Sequence, residues 1–273
     1  MVKLAILGCG NIGRFVMRNL GRDDFREFSL RLIADLPGTE GALKDLAGQY
    51  NCGYTTDPTT LADAGLDVVL EAAKPDAVKR YVPALLRAGV SVLAMSVGAF
   101  ADQELLAEAR RAAQEGGSRL LLPTGGIAGL DNLKAARLAG LEEATLTMIK
   151  GPRSLEGAPY FDEHPIDLFS IKEPTVVFEG TAGEAIKGFP SNVNVAVALS
   201  LATLGPDRTK LRVVCDPAAS RIRVEISARG ATGELKVEVV NLPSPDNPRT
   251  SYQACCSALA TLKRFTDPVQ LGT

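Results

Sequence analysis

The sequence predicts an α/β chain in two domains. The first is a doubly wound parallel sheet over residues 1–123. The second is an α+β domain over 124–244 with a mostly antiparallel sheet. Three observations predict this. Short apolar runs alternate with helically spaced segments through the first domain, as buried parallel strands and their crossover helices do. The first run, KLAIL (3–7), ends in the glycines of GCGNIG and opens straight into a helix. Beyond residue 205 the pattern changes to in-and-out alternation with tight turns, which antiparallel pairing produces.

The elements follow in order. Residues 11–21 form a helix with Ile12, Phe15, Val16 and Leu20 on one side, and LRLIAD (30–35) is the second strand, ending in an acid. A helix at 40–50 and a helical turn at 58–63 precede the strand DVVLEAA (67–73). PDAVKRYVPALLRAG (75–89) is a helix with Pro75 in its first turn, where a missing N–H costs nothing, and Gly89 at its end. SVLAMS (91–96) is a strand, QELLAEARRAAQEG (103–116) a helix, and RLLLPTGG (119–126) a strand into a glycine turn. Next come the helix GLDNLKAARLAG (129–140), the strand EATLTMIKG (143–151) and about twenty residues rich in proline and glycine. PTVVFEGT (174–181) is a strand, AGEAIKGFP (182–190) a short helix and NVNVAVALSLATLG (192–205) a longer one. KLRVVCD (210–216), RIRVEISARG (221–230) and ATGELKVEVVNL (231–242) are strands. SPDNPRTSYQACCSALATLKRF (244–265) is a proline-interrupted loop and one helix, and 245–273 are expected to rejoin the first domain.

Composition narrows the function. The 273 residues are 46% hydrophobic, enough for ordinary cores, and the net charge of −2 comes without a basic block, so nucleic acid is not an expected partner. No uninterrupted apolar stretch approaches 18 residues, so no membrane span is expected. Cys9, Cys52, Cys215, Cys255 and Cys256 form no CxxC pair and are odd in number. That argues for reduced thiols in the cytoplasm and against a disulfide framework or metal site. The start, MVKLAILGCGNIG, has no signal-type cleavage pattern.

Gly8-Cys9-Gly10-Asn11-Ile12-Gly13 is a GxGxxG between a strand and a helix. Gly8 allows the tight turn, Gly10 lets the backbone approach a pyrophosphate, and Gly13 lets helix and strand pack closely. The helix start at Asn11 and Ile12 offers N–H groups to phosphates. Asp35 lies 22 positions beyond Gly13, at the end of the second strand. A carboxylate there accepts from both ribose hydroxyls and repels a 2′-phosphate, which favours NAD, although Arg31 keeps NADP possible. The first domain therefore reads as a Rossmann dinucleotide-binding domain. Cys9 is read as a small filler. EAAKP (71–75) and SVGAF (96–100) lie at further strand ends, where Ala72, Ala73 and Ser96 would let a cofactor pass near the backbone. Lys74 either faces the cofactor or caps the next helix.

GCGNIG, EAAKPDAV, SVGAFAD, LLPTGGIAGLDNL, MIKGPRSL, FEGTAGEAI, FPSNVNVAVALSLA and NLPSPDNPRTS together resemble the L-aspartate dehydrogenase family from end to end. The resemblance implies a Rossmann domain and an α+β domain whose open sheet supports a homodimer. It also implies NAD(P)-dependent oxidation of aspartate, through iminoaspartate, to oxaloacetate and ammonia. On the family's pattern Gly126 and Asn194 touch the nicotinamide end.

The resemblance also implies a catalytic histidine in a run like DPxxxxNxHxI. Here the run is DPAASRIRVEI (216–226), with Ile222 at the asparagine position and Val224 at the histidine position. Asp216, Pro217 and the downstream NLPSPDNPRTS are intact, so the alignment stands. Valine neither transfers a proton nor hydrogen-bonds a carboxylate. Hydride transfer depends on orientation and the cofactor, whereas adding water to the imine needs a base worth roughly 10²–10⁴-fold. The chain is therefore expected to deaminate aspartate weakly unless another residue serves, and the pocket at 222 and 224 to be apolar. The substrate is then an amino acid, an oxoacid or a preformed imine. The alternatives are an imine reductase on the same scaffold or a non-catalytic NAD(H)-binding protein.

Lys150, ending a strand, is the first replacement proton carrier, because burial lowers a lysine pKa. Arg153 is a candidate for a substrate carboxylate and otherwise a solvated loop residue. Asp131 belongs to the first turn of its helix. His164, the only histidine, sits with Tyr160 in a mobile-looking segment that could close as a lid. A solvated loop histidine between acids is its default reading.

Overall fold

The structure is a computed structural model and describes residues 1–189 and 193–272; the side chains of Lys187, Val193, Pro248 and Arg249 lie outside that description. The expected helix ends at 190 and 192 also lie outside it. The chain forms two compact units, Met1–Pro123 with Cys255–Val269, and Thr124–Ala254 with Gln270–Thr273.

The first unit runs β1 (Val2–Leu7), α1 (Asn11–Asn19), β2 (Phe28–Ala34), α2 (Glu40–Tyr50), β3 (Gly53–Thr55), β4 (Val68–Glu71), α3 (Pro75–Arg87), β5 (Ser91–Ala94), α4 (Gln103–Gly116) and β6 (Leu120–Leu121). The strands pair in parallel in the order β3-β2-β1-β4-β5-β6. Every residue of β4 and β5 is buried, because helices cover both faces of such a sheet. The order reverses between β1 and β4, and ligands of doubly wound sheets bind beyond the carboxyl ends at that point. There the Ala72 N–H donates to the Leu7 carbonyl at 2.8 Å, which sets the ends of β1 and β4 side by side. The expected strand 119–126 shrinks to Leu120–Leu121 at the sheet edge.

The second unit runs α5 (Leu130–Gly140), β7 (Leu141–Lys150), α6 (Pro152–Leu155), α7 (Tyr160–Glu163), β8 (Thr175–Thr181), α8 (Ala182–Gly188), α9 (Val193–Ala202), β9 (Lys210–Cys215), β10 (Ile222–Gly230), β11 (Gly233–Asn241), β12 (Pro243–Ser244) and β13 (Asn247–Ser251). The main sheet has the order β11-β10-β7-β9-β8, antiparallel except that β7 and β9 run parallel. One face buries Ala144, Leu146 and Met148 with Val224, Ile226, Ala228, Leu211, Val213 and Cys215. Helix α5 packs on β7 and β10, and α9 on α5. The other face carries Thr145, Thr147, Arg223, Glu225, Ser227, Lys210 and Arg212, all half-buried or exposed.

Two expectations change. The loop expected from 244 contains the β12–β13 pair, and the last helix, α10 (Tyr252–Thr266), starts in the second unit and belongs to the first from Cys255. Residues 245–254 thus stay with the second unit, because β13 pairs with β12 there. The mobile-looking segment holds the short helices α6 and α7.

Candidate functional site

In the first unit the three glycines of the loop do two different jobs. Gly8 has φ +98°, and a Cβ there would stand 2.6 Å from the Ala72 carbonyl and the Ala73 nitrogen. A Cβ on Gly13 would collide with the Gly8 carbonyl oxygen, whereas one on Gly10 would meet nothing within 4 Å. The first two glycines are therefore packing requirements. The third leaves open space at the start of α1, whose N-cap is Gly10 with no side-chain cap. That is the shape a pyrophosphate takes at a helix N-terminus, so the loop fits a dinucleotide. Arg14 Nε donates to the Cys9 carbonyl at 2.9 Å.

Asp35, just past β2, is tied to this loop. Its Oδ2 accepts from the Cys9 N–H at 2.9 Å and its Oδ1 from the Leu36 N–H at 2.8 Å. A carboxylate has about four acceptor sites, so both oxygens keep capacity for ribose hydroxyls. Cys9 is buried, and burial first, then the Asp35 charge, pushes its thiol up to about 12; it is an inert filler.

Sequence reasoning missed Glu71. This carboxylate ends β4 and is wholly buried. Oε1 accepts from the Ala73 N–H and the Ser96 hydroxyl, each at 2.8 Å, and Oε2 from the Ser96 N–H at 3.0 Å. It clasps the turns after β4 and β5, which hold Ala72, Ala73 and Ser96. Burial raises its pKa against the pull of those donors. The available signal was an acid closing an otherwise apolar strand. Lys74 is exposed at the N-cap of α3, and its carbonyl accepts from the Ala77 N–H at 2.9 Å.

In the second unit, strand register brings the chemistry together. Val224 lies opposite Met148 on one side and Val239 on the other, and is 4% exposed. Lys150 is two residues beyond Met148, so it shares Val224's face one step along the diagonal, within reach of a long side chain. Lys150 is 7% exposed and lies opposite Cys215 of β9. Desolvation lowers its pKa from 10.5 to about 8. On the other flank β10 pairs with β7 as far as Arg223 opposite Ile149, the residue before Lys150, and Ile222 lies opposite Asn241 of β11. Asn241 Nδ2 donates to the Gly126 carbonyl at 2.9 Å. Lys150, Val224, Ile222 and Asn241 thus stand at one end of the sheet, on three strands.

Three other candidates are exposed. Asn194 is the second residue of α9 and exposed, and Arg153 is exposed on α6. His164 is exposed just after α7, with its ring stacked on Tyr160 at 4.3 Å and 8°. Tyr160 in turn packs on Phe178 and Phe189. The histidine is thus the outer layer of an aromatic cluster. Among the described residues no group of acids, cysteines and histidine is arranged to hold a metal, and no helix is long and apolar enough to cross a membrane.

Comparison with known proteins gives two family matches along the chain. Residues 8–123 match the family described as homoserine dehydrogenase, NAD binding domain, and 131–265 match aspartate dehydrogenase, C-terminal. The chain is 42% identical over 274 residues to an L-aspartate dehydrogenase of Methanosarcina mazei, covering 100% of both. It is 43% identical over 277 residues to the L-aspartate dehydrogenase of Methanococcoides burtonii, again with 100% of each covered. Among solved structures, aspartate dehydrogenase from Thermotoga maritima superposes with a TM-score of 0.76 at 27% identity, covering 100% of both chains.

Proposed function

The chain belongs to the L-aspartate dehydrogenase family, and from that premise we propose that it oxidises L-aspartate to iminoaspartate and on to oxaloacetate and ammonia, with Lys150 in place of the family's histidine. The observation that carries this is the buried Lys150 on the same sheet face as Val224, with its pKa lowered to about 8. When bound, the nicotinamide cofactor supplies the hydride acceptor for the aspartate Cα hydrogen. Above pH 8 the neutral Lys150 amine takes the proton that the substrate ammonium sheds and releases it to solvent; the regenerated amine then takes the proton lost by water attacking the imine and returns it to the departing nitrogen, which leaves as ammonium. The apolar side chains of Ile222 and Val224 exclude bulk water from that amine and keep its pKa low.

Support for NAD over NADP comes from Asp35, whose carboxylate at the end of β2 repels a 2′-phosphate. The residues after it, Leu36 and Pro37, bring no positive charge. The homodimer reading is supported by the open face of the second sheet. Its rows run Val240–Arg223–Ile149–Val214–Val176 and Glu238–Glu225–Thr147–Arg212–Glu179, an apolar strip beside charges of both signs. A cytoplasmic site fits the five free thiols.

The test is steady-state kinetics with L-aspartate and NAD⁺, and in reverse with oxaloacetate, ammonium and NADH. We expect turnover in the ordinary range, roughly 1–10³ s⁻¹, rising through pH 8, with NADP⁺ the poorer cofactor. The apolar Ile222 and Val224 favour one second reading, an imine reductase. Reduction of preformed cyclic imines without aspartate turnover would establish it instead.

A further inference from the structure

We propose that Asn241 recognises the amine of the substrate, its Oδ1 accepting an N–H from the aspartate ammonium or from incoming ammonium. The inference rests on the aspartate dehydrogenase reading above.

Asn241 ends β11 and is 4% exposed, opposite Ile222 and one strand further from Lys150. Its Nδ2 donates to the Gly126 carbonyl at 2.9 Å, a bond only an amide N–H₂ can make, so the other end is the carbonyl. That Oδ1 is buried and has no hydrogen-bond partner among the described residues. The two other buried side-chain atoms in that condition, Arg212 Nε and Arg223 Nε, each lie beside a carboxylate, at 3.4 Å from Glu179 and 3.3 Å from Glu225. The asparagine oxygen has no such neighbour. Buried acceptors are almost always satisfied, and leaving one unmet is costly.

An acceptor beside an apolar wall selects for a donor and rejects a carboxylate. The ammonium group is the donor that this chemistry brings, and its bond to a neutral oxygen is charge-assisted. Ile222 has no polar atom with which to share the task.

The experiment compares L-aspartate with succinate, which has the two carboxylates and no amine. Both are titrated calorimetrically into the full-length protein holding NADH. The wild type is expected to prefer aspartate by tenfold or more. Asn241→Leu removes both amide functions and is expected to lose about tenfold of that preference. Asn241→Asp forfeits the bond to Gly126 equally but keeps acceptor oxygens, and is expected to retain the preference. The KM for ammonium in reductive amination is expected to rise about tenfold in Asn241→Leu, with the KM for NADH moving less than threefold. An unchanged aspartate-to-succinate ratio in Asn241→Leu overturns the proposal, as does equal loss in Asn241→Asp, which would mean that Asn241 only props Gly126. If Asn241→Leu does not fold, Asn241→Ala replaces it with the same two outcomes. A wild type that binds neither ligand and turns over neither direction overturns the underlying reading instead.

Discussion

At the scale of single residues, the proposed base is a lysine in a place that punishes its charge. Lys150 has a folded pKa of about 8 against 10.5 unperturbed, lowered by burial. Between those values the unfolded chain holds the proton more often than the folded one. Stability therefore rises as pH goes from 8 to 10.5, and the cost, about 3 kcal/mol, applies in full below pH 8. Lys150→Met should accordingly melt several degrees higher than wild type at pH 7 and lose the climb between pH 8 and 10.5. It should also lose 10²–10⁴-fold in aspartate turnover while still binding NADH. Identical melting profiles against pH in the two proteins would mean that the amine is not desolvated. The sequence made Lys150 a candidate by its place at a strand end, and made Val224 and Ile222 conspicuous beside an intact Asp216-Pro217. It said nothing of Glu71 or Asn241, whose roles come from partners 25 and 115 positions away.

At the scale of elements, the turn from β1 to α1 separates packing from binding. Gly10 has φ −77°, which alanine adopts freely. Gly10→Ala should therefore keep the wild-type melting temperature yet weaken NAD⁺ at least tenfold, because its methyl group enters the phosphate space. Gly13→Ala forces a methyl group onto the Gly8 carbonyl and should lose both stability and binding. Paired melting and calorimetric titrations distinguish them; equal NAD⁺ affinity for Gly10→Ala and wild type would remove the phosphate site from this loop. The parallel strands and long helices were legible because their signal is periodic and local. The β12–β13 pair was not, since Pro243, Pro245 and Pro248 read as loop in sequence. A strand of two residues has no periodicity to see. The four-residue helices α6 and α7 escaped for the same reason.

At the scale of the whole molecule, one face of the second sheet carries mostly half-buried and exposed side chains, among them Thr147 on the central strand. If that face joins two copies, light scattering should give a dimer for the wild type. Thr147→Arg, which sets a new cation beside Arg212, should give a folded monomer. A monomeric wild type would refute the interface. By itself the sequence determined the doubly wound domain and the glycine loop with its acid, because each is written in neighbouring residues or in a spacing of tens of positions. Only the tertiary structure decided that Asn241 lies opposite Ile222 and Lys150 opposite Cys215, that Glu71 clasps two strand ends, and that the lysine amine is desolvated. Register and burial belong to strands that meet across the chain, and no local pattern carries them.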